Sequence, residues 1–177
     1  ESIGHRHTAF FSDCLNKIWY SGFSHSKYLS VSILFRMAYS GKYKPKNPKK
    51  YKGNPTQIIY RSNWEKKFMH FCDSTDSILE WGSEEVIIPY RCPTDGRIHR
   101  YYPDFYIKTS KKQKYIIEIK PKKQVRGPER NPKRKTTAWK KSVLVFMKNK
   151  AKWNAAENWC DDRSMKFKIL TEDQLHV

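Results

Sequence analysis

Two runs rich in β-branched and aromatic residues lie near the middle of the chain, at Arg100–Ile107 and Lys114–Lys120. Residues of these types favour strands, and the polar segment Thr109–Gln113 separates the two runs. The pattern predicts a β-hairpin. Because side chains alternate between the two faces of a strand, Glu118 and Lys120 share one face.

The remaining pattern predicts two helices and two further strands. Apolar residues recur at helical spacing over 62–72 and over 139–160. Short apolar runs over 86–90 and 166–170 are typical of strands. The predicted order is helix, strand, strand, strand, helix, strand, which indicates an α/β fold with a small mixed sheet flanked by helices.

The predicted hairpin brings two acids together. With the polar segment as its loop, Lys108 lies opposite Lys114 and Asp104 lies opposite Glu118. Carboxylates directly across a ladder repel each other, so a cation is expected between them. Lys120 supplies one positive charge, and a divalent metal held by the two carboxylates would supply the rest. Such a metal polarises a phosphate and acidifies a bound water, beside which the lysine ammonium lies.

Glu65 has two interpretations. It lies on the core side of the first predicted helix, from which its carboxylate could reach the metal as a third ligand. Alternatively, Ser62 and Glu65 form a capping box that satisfies amides at the helix N-terminus. Glu84 and Glu85 are expected in a turn before the strand over 86–90.

Charge indicates a polyanionic partner. The 177 residues include 36 Lys and Arg against 17 Asp and Glu, a net charge of +19. Two segments concentrate it: 41–52 has six lysines and no acid, and 120–141 has ten basic residues and one acid. Their prolines predict an extended arm in the first segment and a loop in the second.

These segments give the candidate DNA contacts. They are expected to track the phosphate backbone without reading base sequence. The candidates are Lys42, Lys44, Lys46, Lys49, Lys50, Lys52, Lys122, Lys123, Gln124 and Arg126.

The chain divides into three predicted regions. Residues 1–36 carry four basic and two acidic residues and show no sustained period. Two interpretations of this extension stay open, a segment from outside the native protein and an ordinary N-terminal arm. Residues 37–61 form the predicted basic extended arm, and residues 62–177 form the predicted catalytic domain.

Apolar runs and cysteines exclude other classes. The longest apolar run, Val143–Met147, is far shorter than the roughly 20 residues of a membrane span. The four cysteines are widely spaced with no C-x-x-C pair, which argues for reduced thiols in a cytosolic setting and against a disulfide scaffold or a cysteine-based zinc site.

Two motifs carry a family resemblance. Tyr102-Pro103-Asp104-Phe105 followed by Ile116-Ile117-Glu118-Ile119-Lys120 resembles the PD-(D/E)xK nuclease signature. This resemblance implies a restriction-endonuclease-like core in the order αβββαβ. It also implies Mg²⁺ as cofactor, with Mn²⁺ able to substitute, and no small-molecule cofactor. Asp104, Glu118, Lys120 and Glu65 would be its catalytic residues, and Asp104, Glu118 and Glu65 its metal ligands.

A wider resemblance begins at Met37 and runs to the C-terminus. Segments such as Arg61-Ser62-Asn63-Trp64-Glu65, Glu118-Ile119-Lys120-Pro121-Lys122-Lys123 and Thr171-Glu172-Asp173-Gln174-Leu175 resemble the head completion nucleases of large contractile-tailed phages. The resemblance implies cleavage of double-stranded DNA during virion assembly, phage head or neck proteins as partners, and a location in the virion or host cytoplasm.

Two alternatives remain open beside that function. Similar hairpins occur in the endonuclease subunit of some heteromeric transposases, which also has a helix glutamate at the position of Glu65. A DNA-clasping structural protein of the capsid neck, without catalysis, would share the basic segments. The full set of Asp104, Glu118 and Lys120 favours the enzyme.

Overall fold

The computed structural model describes residues 40–129 and 132–175, which form a mixed α/β domain. A 3₁₀ turn at Pro48–Lys50 precedes most of the regular structure. The strands of the described residues are β1 (Gly41–Lys42), β2 (Ile59–Tyr60), β3 (Ile78–Ser83), β4 (Ile88–Arg91), β5 (Ile98–Tyr101), β6 (Phe105–Thr109), β7 (Lys114–Ile119) and β8 (Lys166–Leu170). The α-helices are α1 (Asn63–Ser74), α2 (Lys122–Arg126), α3 (Thr137–Asp161) and α4 (Glu172–Leu175).

The main sheet contains four strands in the order β3-β6-β7-β8. β3, β6 and β7 pair antiparallel, whereas β8 lies parallel to β7, so the sheet is mixed as predicted. The hairpin register is confirmed from the Lys108–Lys114 pair to the Phe105–Ile117 pair. Asp104, expected opposite Glu118, lies one residue before β6 and outside the ladder. β7 is an inner strand, and residues 115–119 are therefore buried on both faces.

The strand boundaries before the hairpin differ from the prediction. Arg100–Ile107 was expected as one strand, but the chain leaves β5 after Tyr101 and enters β6 only at Phe105. Pro103 stands in this break, where its missing N–H could not continue a ladder. β5 pairs instead with β4 in a separate two-stranded sheet, so the predicted strand over 86–90 is not part of the main sheet.

β3 takes the edge of the main sheet, and the prediction missed it. Its sequence, Ile-Leu-Glu-Trp-Gly-Ser, lacks a clean two-residue alternation and contains Gly82, which weakens a strand signal. Tertiary packing compensates, since Trp81 is fully buried and stacks edge-on with Tyr51 at a ring separation of 4.7 Å.

The two long helices pack against the main sheet. From α1, Phe68 contacts Phe105 of β6 with ring centroids 4.8 Å apart. From α3, Cys160 joins a buried cluster with Tyr106 and Ile116, whose side chains alternate with Phe105 on the hairpin. The sheet is thus covered by one helix on each face, and α3 agrees closely with the helix predicted over 139–160.

The described part of the predicted basic extended arm is packed onto the domain. β1 pairs with β2, and the Lys52 backbone amide donates to the Trp81 carbonyl at 2.7 Å. Asp73, fully buried at the end of α1, accepts from the backbone amides of Lys46 at 2.6 Å and Asn47 at 3.0 Å. Residues 40–61 and the rest of the described chain therefore belong to one unit.

The second basic segment contains helix that the prediction excluded. α2 begins just after Pro121 and its last residue is Arg126. The residue that follows, Gly127, has a φ of +78°. Proline is tolerated at a helix start because the first N–H groups have no partner there, and glycine readily adopts positive φ after the last turn. The prolines therefore bound this short helix. α3 begins at Thr137, where the Thr136 side chain accepts from the Trp139 amide.

Three of the four cysteines lie in the described residues. Cys72, Cys92 and Cys160 are free and buried. In the ranges 40–129 and 132–175, no helix combines the length and apolar character that a membrane crossing requires. The interpretations of residues 1–36 lie outside the described residues.

We predict that Asp73→Ala destabilises the domain by about 2–4 kcal/mol, because it leaves two backbone amides without their charged acceptor. Urea unfolding followed by tryptophan fluorescence measures the change. Asp76→Ala, which removes an exposed carboxylate three residues later, is the matched control. Equal midpoints for the two variants would contradict anchoring of the arm by Asp73.

Candidate active site

The Lys120 ammonium lies between two carboxylates at the open end of the β6–β7 hairpin. Its Nζ is 2.9 Å from Glu118 Oε1 and 3.7 Å from Asp104 Oδ2. Glu118 and Lys120 therefore share a face, as predicted from the strand period. The backbone amide of Lys120 donates to the Leu170 carbonyl of β8 at 3.0 Å, which fixes the lysine at the end of the parallel pair.

Each carboxylate has a second partner. The Tyr101 hydroxyl donates to Glu118 Oε2 at 2.6 Å, and the Ile119 backbone amide donates to Asp104 Oδ2 at 2.7 Å. Within the described part of the chain, Asp104 Oδ1 has no hydrogen-bond partner. The arrangement therefore orients both acids while one aspartate oxygen stays available.

Burial and neighbouring charges shift the pKa values of Asp104, Lys120 and Tyr101. Burial, followed by repulsion from Glu118, raises the pKa of Asp104 from 3.8 to about 7, although Lys120 and the Ile119 amide oppose the rise. Burial alone would lower the pKa of Lys120, but Asp104 and Glu118 outweigh it and raise that pKa. The pKa of Tyr101 is raised by burial and by Glu118, so its hydroxyl keeps the proton it donates. The site thus holds a charged lysine beside an aspartate whose negative charge is disfavoured.

Glu65 is engaged at the start of α1. Its backbone amide donates to Ser62 Oγ at 3.1 Å, and its carboxylate accepts from Ser62 Oγ at 2.9 Å and from the Arg61 backbone amide at 2.7 Å. The predicted cap is therefore present, but the second amide it satisfies belongs to Arg61, one residue earlier than a capping box requires.

Glu65 does not complete a tight cluster with the two hairpin acids. Across residues 40–129 and 132–175, Glu65, Asp104 and Glu118 do not bring one oxygen each within 4.8 Å of the others. Its negative charge still contributes to the raised pKa of Asp104. The role of Glu65 as a third metal ligand stays a prediction.

An ion pair that the sequence did not predict adjoins the site. Arg61 forms a salt bridge with Glu84, whose backbone amide donates to the Asp104 carbonyl at 3.2 Å. Hydrogen bonding to Glu84 raises the pKa of Arg61, and Asp104 adds to the effect. Glu84 lies in the expected turn after β3 with a φ of +57°, and both residues line a pocket of about 220 Å³.

The candidate DNA contacts divide into two groups. Three of them are bound to the protein: Lys50 Nζ donates to the Thr75 carbonyl at 3.0 Å, Lys52 pairs with Glu80, and Lys122 pairs with Asp173. Seven others are exposed, with no salt bridge in the described structure. They are Lys42, Lys44, Lys46, Lys49, Lys123, Gln124 and Arg126.

Tyr101 is the contact residue that sequence reasoning missed most completely. It was placed inside a continuous strand, where a tyrosine is an ordinary packing residue. Its hydroxyl reaches Glu118 because β5 pairs with β4 in a separate sheet and does not continue into β6. The only sequence signal is Pro103, which marks a break between Tyr101 and Asp104.

Comparisons with known proteins agree with one another. Residues 75–172 match the family model described as TnsA-like endonuclease N terminal. The chain is also 47% identical over 145 residues to a protein of Enterobacteria phage T4 named head completion nuclease, an alignment that covers 80% of this chain and 96% of that protein. The family match over residues 75–172 includes β6, β7 and all three residues of the Asp104–Glu118–Lys120 contact.

We predict that Asp104→Asn stabilises the metal-free protein at alkaline pH. Because the folded-state pKa of Asp104 is raised, its stabilising contribution is present below about pH 4 and is lost as pH rises through about 7. Asparagine removes the disfavoured charge but still accepts from the Ile119 amide. Melting temperatures in EDTA at about pH 5 and about pH 8 should show a gain that grows with pH.

Asp76→Asn, at an exposed aspartate, is the control for this measurement. It should not reproduce the pH-dependent gain. A variant Asp104→Asn that is less stable than wild type at both pH values would contradict the electrostatic description of the site.

Proposed function

The chain belongs to the family of TnsA-like endonuclease N-terminal domains, and we propose on this basis that it is a phage deoxyribonuclease that depends on a divalent metal. Its role would be the cutting or trimming of packaged double-stranded DNA before heads and tails join. The observation that carries the proposal is the contact of Lys120 with both Asp104 and Glu118.

The donor set fits a hard divalent cation. Magnesium is bound in proteins through one or two carboxylates, with water and phosphate oxygens in the other positions. Asp104 and Glu118 are two such carboxylates, and the raised pKa of Asp104 reflects unbalanced negative charge that a cation would relieve. These two residues would hold Mg²⁺, or Mn²⁺ in its place. The chemistry that such a cation supplies is polarisation of the scissile phosphate and acidification of a bound water.

Lys120 has a separate role in this scheme. Its raised pKa keeps it protonated near neutral pH, so it cannot take a proton from water as a general base. A charged ammonium can instead donate hydrogen bonds to the attacking water or to a phosphate oxygen on which negative charge develops. Glu118 holds the ammonium at 2.9 Å, and Tyr101 in turn orients Glu118.

DNA binding would use exposed basic and polar residues that are close to this site in sequence. α2 starts two residues after Lys120, and Lys123, Gln124 and Arg126 are exposed on it. Lysines of the packed arm, among them Lys44 and Lys49, add positive charge on the same domain. Phosphate contacts of this type supply affinity without base specificity. Lys50, Lys52 and Lys122 contribute less directly, because each already contacts a protein group.

The element order also supports the proposal. Around the main sheet the chain runs α1, β3, β6, β7, α2, α3, β8, and this alternation is compatible with the proposed restriction-endonuclease-like core. The strand before the hairpin in this sheet is β3 and not the strand predicted over 86–90. Head completion is favoured over transposon-end cleavage because the similarity to the phage T4 protein covers 96% of that protein. The site of action would be the virion or the host cytoplasm, with head or neck proteins as further partners.

We predict that Asp104→Asn and Lys120→Ala each reduce nicking of supercoiled DNA by at least about 100-fold in Mg²⁺ or Mn²⁺. Both should retain DNA binding in a gel-shift assay, because the exposed basic residues are intact. Wild-type activity should disappear in EDTA and return with added Mg²⁺.

Asp76→Asn and Lys114→Ala are the matched controls, the latter removing an exposed lysine at the start of β7. They should nick at the wild-type rate. Nicking by Asp104→Asn and Lys120→Ala at that rate would refute the site assignment. A wild-type protein that binds DNA without cutting it would identify a DNA-clasping structural protein.

We predict that two substitutions separate the roles of Glu65. Glu65→Gln keeps an oxygen that accepts from the Arg61 amide but loses the charge a metal ligand needs, so it should cost most of the activity and little stability if Glu65 binds metal. Ser62→Ala removes the acceptor of the Glu65 amide and should cost about 1 kcal/mol with little loss of activity per folded molecule. Wild-type cleavage by Glu65→Gln would restrict Glu65 to capping.

A further inference from the structure

The turn between β4 and β5 gathers three side chains of metal-binding type. Cys92 Sγ, an Asp95 carboxylate oxygen and a ring nitrogen of His99 all lie within 4.8 Å of one another. They are separate from the acids of the candidate active site, and they follow the spacing Cys-x₂-Asp-x₃-His.

Backbone hydrogen bonds hold this turn in shape. The Cys92 amide donates to the Arg97 carbonyl at 2.8 Å, and the Gly96 amide donates to the Cys92 carbonyl at 2.9 Å. Gly96 has a φ of +69°, which glycine adopts without strain. The backbone positions of the three residues are thus set by the β4–β5 ladder and its turn.

The three donors form a set that suits zinc. Thiolate sulfur, imidazole nitrogen and carboxylate oxygen are the ligand types of Zn²⁺, which binds them at about 2.0–2.3 Å in tetrahedral geometry. Magnesium, by contrast, requires oxygen ligands. His99 Nε2 and Asp95 Oδ2 are 2.8 Å apart, a hydrogen-bond distance that zinc binding would widen to about 3.3 Å, the separation of two tetrahedral ligands.

The exposure of two of the three side chains allows their donor atoms to move toward one ion. Cys92 is only 2% exposed and is held in a buried cluster with Tyr90 and Tyr101, whereas the Asp95 and His99 side chains are about two-fifths exposed and can rotate toward the thiol. Asp95 Oδ1 accepts from the Arg97 amide at 3.1 Å, the kind of outer contact that orients a metal-bound carboxylate. That amide, together with His99, lowers the pKa of Asp95 and keeps it charged.

We propose that Cys92, Asp95 and His99 form a zinc site at the tip of the β4–β5 hairpin, with water as the fourth ligand. The hairpin is a two-stranded sheet of its own, and such sheets depend on packing or a crosslink for stability. A metal bound at its tip would hold β5, which carries both His99 and Tyr101, the donor of the hydrogen bond to Glu118. The inference does not depend on nuclease activity.

Cobalt substitution tests the proposal with the full chain. After treatment with a chelator and its removal, about one equivalent of Co²⁺ should produce a sulfur-to-cobalt charge-transfer band in the near ultraviolet and the visible bands of tetrahedral cobalt. Zn²⁺ should displace the cobalt and bleach both. Cys92→Ser should lose the charge-transfer band, and Asp95→Asn and His99→Ala should weaken cobalt binding at least about tenfold.

Two variants serve as controls. His70→Ala removes an exposed histidine of α1, and Asp104→Asn changes the candidate active site, so both should keep the full cobalt spectrum. Absence of the band in wild type, or its persistence in Cys92→Ser, would overturn the proposal. Loss of the spectrum in Asp104→Asn with its retention in His99→Ala would place the ion at the other site and would overturn it equally.

A stability measurement covers the case in which Cys92→Ser folds poorly. At a free Zn²⁺ concentration about 100-fold above Kd, the melting temperature of wild type should rise by about 5–10 °C. The same addition should raise the melting temperatures of Asp95→Asn and His99→Ala by no more than about half as much, because their weaker binding lowers the ratio of free zinc to Kd at least about tenfold. An equal rise in wild type and in both variants would show that zinc stabilises the protein elsewhere.

Discussion

The contact of one ammonium with two carboxylates is the constraint around which the site is built. Asp104 and Glu118 are both largely buried, and without Lys120 their charges would oppose folding with only the Ile119 amide and the Tyr101 hydroxyl as compensation. The ammonium offsets this only in part, because the pKa of Asp104 remains raised. In the proposed function, a divalent cation held by both carboxylates would relieve the residual imbalance. Structure and candidate chemistry therefore have the same electrostatic origin.

Several elements hold that contact in place from different directions. β8 fixes the backbone of Lys120, and the small β4–β5 sheet supplies Tyr101 to Glu118. On the opposite side of Asp104, the turn after β3 binds its carbonyl through Glu84. The acids are consequently oriented by backbone and tyrosine donors, which remain fixed when charge in the site changes.

The positive charge of the chain serves two purposes. Lys50, Lys52 and Lys122 bind carbonyl or carboxylate groups of the protein itself, and the arm between β1 and β2 is anchored by the buried Asp73. In the proposed function, the exposed residues Lys42, Lys44, Lys46, Lys49, Lys123 and Arg126 would contact the phosphates of DNA.

The two candidate metal sites differ in their donor atoms. The site of Asp104 and Glu118 offers only carboxylate oxygens, whereas the site of Cys92, Asp95 and His99 offers sulfur, nitrogen and oxygen. This difference in donor type would keep a hard and a borderline cation apart.

Local chemistry was readable from the sequence alone. The β6–β7 register, the pairing of Lys108 with Lys114, the shared face of Glu118 and Lys120 and the cap at Ser62 all follow from strand period, loop length and side-chain reach over a few residues. Tertiary structure decided the rest: the edge strand β3, the burial of the basic arm on Asp73, and the approach of Tyr101 to Glu118, residues 17 apart in sequence. Such contacts depend on which surfaces pack together. No local pattern of hydrophobic and polar residues in a single sequence specifies that packing.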